Sequence, residues 1–210
     1  MIRTYYKMWF DDTLEDRWYL GSFTDGAGIE LDGREFRYGR PIDVGPPMKM
    51  KVWRAYSVIA TQPPLRLSLD REYTRGGPLD LTFTSENVPV ANARVAAILG
   101  SIAGADIQRI PVVVEEQEER YEVINVISRF SCVDRQHSTG LRWWTEADGR
   151  PDKIGHLVEF HTLIIDAAKA GEHHIFRPWE YGVIIVVSDV VKGALEEAKV
   201  SGLKFKCLSL

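Results

Sequence analysis

Cysteine is scarce in this sequence: Cys132 and Cys207 are the only two among 210 residues. A disulfide framework needs more, and the pair lacks the spacing of a metal knuckle. Long apolar runs are also missing. None approaches the roughly 18 residues of a spanning helix, and the opening MIRTYYKMWFDD holds no apolar stretch of the secretory-leader kind. These absences point to a reducing, cytoplasmic setting with no membrane partner. Neither sign of charge dominates, since 26 Lys and Arg stand against 30 Asp and Glu, a net charge of −4. Binding to nucleic acid needs clustered Lys and Arg, so a mildly acidic chain is a poor general candidate. Internal repeats and low-complexity tracts are lacking, as are a G-x-S-x-G elbow and a phosphate-binding P-loop. DGAGIELDG offers Gly26, Gly28 and Gly33, but the third glycine falls two places late for a dinucleotide loop, so the stretch reads as a turn-rich hairpin.

What is present is ordinary globular material: 45% apolar residues, 27% charged and six Trp, enough for a real core. The length fits one large domain or two small ones. Residues 1–77 read as a strand- and turn-rich lobe and 78–210 as a more regular region, with one continuous domain as the alternative. TYYKMWF and DRWYLGSF are strands. In MKMKVWRAYSV, Met48, Met50 and Val52 alternate with Lys49, Lys51 and Trp53, the period of a half-buried strand. The segment from 61 to 90 is spotted with Pro and Gly and reads as a loop with short strands.

The second half has clearer punctuation. NARVAAILGSIA carries apolar residues at 95, 98, 99 and 102, one helical stripe, with Asn87 or Asn92 as its cap and Gly104 as its stop. DIQRIPVVV and YEVINVISRFS form a hairpin around the turn EEQEER. Residues 141–146 and 154–165 are further strand candidates about the turn GRPDK, and IIDAAKAGEHH holds a short helical turn. VIIVV is apolar on every side, as expected of a central strand buried on both faces. Ser188 or Asp189 then caps a helix whose stripe is Val191, Ala194, Leu195 and Ala198, and Gly202 closes it. Gly193 in mid-helix costs about 1 kcal/mol against Ala, so tertiary packing must hold this helix. Many strands, few helices and hairpin spacing give an α+β fold with a mainly antiparallel sheet and a few packed helices.

Chemistry-bearing residues are sparse. HLVEFH places His156, Glu159 and His161 close together, but histidines five apart diverge on a helix and point to opposite faces of a strand. A metal-dependent hydrolase using these three with His173 is the enzyme alternative; the preferred reading has no catalytic residue, metal or cofactor. Glu115, Glu116, Glu118 and Glu119 crowd one turn. They read either as a solvated turn or as an acidic knob that docks on a basic protein. In GLRWWTE, alternation puts Arg142, Trp144 and Glu146 on one face, and an aromatic flanked by charge is a common interface anchor. Asp134, Arg135 and His137 form a polar cluster just upstream. Self-association through strand edges, giving a scaffold or a homo-oligomer, is a third reading.

From about residue 78 the order of segments resembles the bacterial immunity-protein-eleven family, linked to polymorphic toxin systems. The residues that carry the resemblance are Pro89–Val90, Ile110–Pro111, Tyr121, Asn125–Val126, Asp134, Ser138, Ile175–Phe176–Arg177, Ser188–Asp189, Gly202–Leu203 and Phe205. Most are caps, turns and core positions. The resemblance implies a non-enzymatic protector that binds a cognate toxin encoded by a neighbouring gene, a nuclease being a plausible toxin class. Glu115, Glu116, Glu118, Glu119 and Trp144 are the expected partner-binding residues.

Overall fold

The computed structural model describes residues 3–14, 18–42 and 65–209. The expected MKMKVWRAYSV strand and residues 61–64 of the TQPPL loop lie outside the described residues. In chain order the strands are β1 (Tyr5–Phe10), β2 (Leu20–Thr24), β3 (Glu30–Leu31), β4 (Leu65–Leu69), β5 (Leu81–Phe83), β6 (Pro89–Asn92), β7 (Ile107–Val114), β8 (Tyr121–Val126), β9 (Arg129–Phe130), β10 (Arg142–Trp143), β11 (Leu157–Glu159), β12 (Ile175–Pro178), β13 (Ile185–Ser188) and β14 (Leu203–Cys207). Helices α1 (Ala93–Ala103), α2 (Ala167–Ala170) and α3 (Asp189–Glu197) interrupt them, and a 3-10 turn spans Gly33–Arg37.

Two main sheets result. One has five strands in the order β14-β1-β13-β12-β9, and the other has seven in the order β3-β2-β4-β7-β8-β6-β5. Pairing is antiparallel except for β12 with β9 and β4 with β7, so the fold is α+β and mainly antiparallel. Residues before 78 contribute to both sheets: β1 lies between β13 and β14, and β2 to β4 continue the larger sheet. That sheet curls until Leu20 bridges Thr84, bringing β2 toward β5 much as a barrel closes. Its interior is filled by Trp18, Phe23, Leu67, Val90, Ile110, Val112, Tyr121 and Val123.

Period-two alternation distributes the rest of the core. On β8, Tyr121 and Val123 face the curled interior while Ile124 and Val126 face α1. On β13, Ile185 and Val187 meet the helices, and Val186 and the preceding Ile184 enter a third cluster with Tyr5, Phe176 and Leu208. The all-apolar VIIVV is therefore buried on both faces, as its composition requires.

Helix ends follow local chemistry. The Asn92 side chain accepts from Val95 N at 3.0 Å, and Ser188 Oγ accepts from Val191 N at 3.3 Å, each satisfying a first-turn amide. Asn87 instead takes a left-handed turn conformation, φ 57°. In α1 the fully buried residues are Val95, Ala96, Leu99 and Ala103, with Ile98 and Ile102 at the margin, a stripe rotated slightly from the expected one. The end of α3 differs from expectation. Lys199 (φ 52°), three residues before Gly202, takes the left-handed conformation that closes the helix, with Val200 N bonded to Leu195 O and Lys199 N to Glu196 O, both at 3.0 Å. This is a Schellman closure. Gly202 serves a different need: a Cβ there would sit 2.4 Å from the Leu81 carbonyl.

Strand expectations for 141–146 and 154–165 shrink to β10 and β11. Asp148 Oδ2 accepts from Thr145 N and Oγ1, both at 2.8 Å, and this local capping turns the chain into a 3-10 segment before the strand can extend.

Candidate partner-binding surfaces

The acidic turn joins β7 to β8. All four glutamates are exposed, yet they are not equivalent. Glu115 accepts from Leu69 N at 3.0 Å, and Arg71 Nη2 donates to both Glu115 and Glu116 at 2.8 Å. These bonds hold the Glu115 carboxyl below its ordinary value, the backbone amide contributing most. Glu116 sits at φ 60° to make the turn. Glu119 accepts from the Tyr121 hydroxyl at 3.2 Å; burial first, then this carboxylate, pushes the tyrosine pKa upward. Arg71 thus offsets part of the turn's charge, leaving Glu118 and Glu119 without an ion pair among the described residues. Behind the turn, the hairpin's outer face presents Pro111 and Val113, the latter 44% exposed.

Trp144 belongs to another surface. Its neighbour Trp143 packs toward the third core cluster under the guanidinium of Arg135 at 4.3 Å. Trp144 is half-buried, its amide bonded to His156 O at 3.0 Å and Lys153 Nζ over its ring at 5.3 Å. It lines a notch of about 390 Å³ shared with Arg34, Arg37, Arg129, Arg150 and Lys153. The 3-10 turn supplies Arg34 and Arg37, β9 supplies Arg129, and the loop before β11 supplies the other two. Gly39 makes this approach possible: φ is +67°, and a Cβ would lie 2.3 Å from Arg129 Cβ.

Several of these cations are fixed in place. Arg34 holds Asp32 through Nε at 2.8 and 3.0 Å and Nη2 at 2.7 Å, and Arg150 holds Asp152 at 3.0 and 2.9 Å. Arg37 Nε donates to the Glu86 carbonyl, and Arg129 Nη2 to the Trp179 carbonyl at 3.1 Å. Burial lowers the pKa of both Arg37 and Arg129. Behind the notch Arg177 is fully buried and holds the carbonyls of Gly182 (3.0 Å), Val183 (3.3 Å) and Asn87 (2.8 Å). Burial pushes its guanidinium down to about 9, and repulsion from Arg37 and Arg129 adds to this.

The histidine set does not assemble. His156 Nδ1 bonds the Trp179 carbonyl at 2.8 Å while its ring stacks on Trp179 at 4.3 Å. Glu159 meets Arg142 at 3.2 Å, and His161 packs against Gly140. His173 Nδ1 bonds Asp106 at 2.5 Å. Among the described residues no group of three or more His, Cys, Asp or Glu is placed to hold a metal ion. Asp106 ties the two sheets together, taking bonds also from Ser128 Oγ (2.7 Å), His174 N (2.7 Å) and Ile175 N (3.2 Å). Burial alone would raise its pKa, but these donors win and hold it low.

Sequence reasoning singled out Trp144 as an expected contact but did not anticipate the basic notch around it, because its cations come from three separated stretches and each looks like an ordinary surface residue alone.

Comparison with known families gives one match. Residues 113–209, just under half of the chain, match the model of the Immunity protein family (Imm11). This supports the resemblance noted in the sequence. No curated protein matches the chain. Motif residues within the matched span have architectural roles here. Asp134 Oδ1 accepts from Gln136 N and His137 N, Ser138 Oγ accepts from Ile164 N at 2.9 Å, Arg177 is the buried strut, and Ser188 caps α3. No described helix is long and apolar enough to cross a membrane.

Proposed function

We infer that this chain, with an immunity-family match over 113–209, is an immunity protein that neutralises a cognate toxin by covering it, without catalysis of its own. That match is the observation that carries the reading. The engagement of His156 with a carbonyl and of His173 with Asp106 supports it, since those two rings are held by the architecture. Occlusion needs a rigid surface of ordinary interface size, roughly 1,200–2,000 Å² in total, with a few well-placed anchors. Trp144 on its rigid notch and the acidic turn Glu115, Glu116, Glu118 and Glu119 are the proposed contacts. A nuclease toxin, whose cleft attracts phosphate, would suit the acidic turn.

The test is co-expression with the product of an adjacent gene that ends in a toxin-like domain. The two proteins should co-purify, and host growth should be rescued in proportion to the amount of this chain. A toxin that kills equally well in its presence, with no complex recovered, contradicts the reading.

A further inference from the structure

We propose that the notch formed by Arg34, Arg37, Arg129, Arg150, Lys153 and Trp144 receives carboxylates from an acidic segment of a protein partner. This rests on the immunity reading for its biological setting, and it assigns this second surface a polarity opposite to that of the acidic turn.

Charge is the first reason. Five cations line the notch against two carboxylates, Asp152 and Glu180. Glu180 is buried, its oxygens bonded by the Ser131 hydroxyl and Cys132 N, and its charge is felt by Arg129. Asp32 offsets Arg34, and Glu86 lies near Arg37. Among the described residues, however, Arg37, Arg129 and Lys153 form no ion pair, and buried Arg177 adds its charge behind them. In a protein with a net charge of −4, this local positive excess runs against the average.

An unfilled hydrogen-bonding capacity is the second reason. Arg129 Nε is buried without a partner, although buried donors are nearly always satisfied. It lies at the notch wall beside Gly182, whose Cβ position is 3.4 Å from that nitrogen, so a small shift of the wall on docking is needed for a carboxylate to supply the acceptor. Guanidinium groups favour planar two-oxygen acceptors, and those of Arg34 and Arg150 are already oriented by their own aspartates.

The surroundings favour a protein over a free phosphate or a nucleic acid. Among the described residues no α-helix contributes to the notch lining, and the sequence holds no glycine-rich phosphate loop. Exposed aromatics border it instead: Tyr38 is 52% exposed, and Trp179, 41% exposed, is stacked on His156. Arginine set among rigid aromatics is the composition of protein–protein hot spots.

Calorimetric titration of the full chain with three probes tests this: hexaglutamate, inorganic phosphate and a short oligothymidylate. Hexaglutamate should bind, weaken as salt is added, and lose about tenfold or more in affinity in the rim variant Arg150→Glu/Lys153→Glu. Glu72→Lys/Glu197→Lys, at exposed sites outside both surfaces, should not lower it. A thermal melt matching the parent's shows that the rim variant is folded; Arg150→Gln/Lys153→Gln, which should also weaken binding, replaces it otherwise. Phosphate or oligothymidylate binding as tightly as hexaglutamate overturns the proposal, as does hexaglutamate that fails to bind or ignores the rim substitutions. Such failures leave toxin capture untouched, because co-purification with the toxin is read separately.

Discussion

The acidic turn and the basic notch lie at opposite ends of one hairpin, and they are built differently. The eight residues of β7, at about 3.3 Å each, put roughly 25 Å between the turn and the end where β8 leads into β9. At the turn the charges stand in water, with Arg71 the cation shared by Glu115 and Glu116. At the notch the charges are partly desolvated and braced by carbonyls, a buried Arg177 and a glycine that admits Arg129. Water screens the first kind more fully than the second. On the proposed function, the exposed turn steers a partner during approach and the braced, half-dry notch holds it once docked.

The largest effect that separates the two ends is on stability. Arg177→Leu strands the carbonyls of Asn87, Gly182 and Val183 and should cost about 3 kcal/mol or more in urea unfolding. Glu118→Lys at the other end should stay within about 0.5 kcal/mol of the parent. Equal losses would erase the distinction.

Gly39→Ala comes next. Its Cβ would collide with Arg129 at a left-handed position, so a loss of about 1–3 kcal/mol is expected. Partner dissociation should also accelerate, because the notch wall moves. A variant with unchanged stability would show that this approach is not tight.

Charge reversal sharpens the comparison kinetically. Glu118→Lys/Glu119→Lys should slow toxin association several-fold at low salt with little change in dissociation, and Trp144→Ala should mainly accelerate dissociation. Surface plasmon resonance at two salt concentrations separates these, and the opposite partition would exchange the two roles.

The smallest effect concerns acid. The folded-state pKa of Asp106 is depressed, so its contribution to stability is present above the unfolded carboxylate value, about 3.9, and is lost as pH falls through the lower folded value. Asp106→Asn should be less stable than the parent at neutral pH, with the difference narrowing below about pH 4. A gap that stays constant with pH would mean that the carboxylate charge is irrelevant there.

Much of the fold was legible in the sequence because its signals are local. Continuous apolarity marked β13, side-chain oxygens before amphipathic runs narrowed the caps to Asn87 or Asn92 and Ser188 or Asp189, and two apolar strands about the EEQEER turn marked the β7–β8 hairpin. The end of α3 was misassigned because a lysine accepts the left-handed conformation when the Schellman bonds and the Val200–Leu195 contact support it. Arg177 was visible only as part of a motif, since arginine is rarely fully buried and nothing nearby in sequence announces the carbonyls it meets. The notch was not legible, because it depends on Arg37, Arg129 and Lys153 meeting across distant segments.

Hydrogen–deuterium exchange of the chain, free and bound to the toxin domain, tests the central claim most directly. Protection should appear in residues 34–38 and 144–156 and be deepest there, with the 115–119 turn protected less. A bound state that leaves both notch segments exchanging as in the free protein would contradict the account.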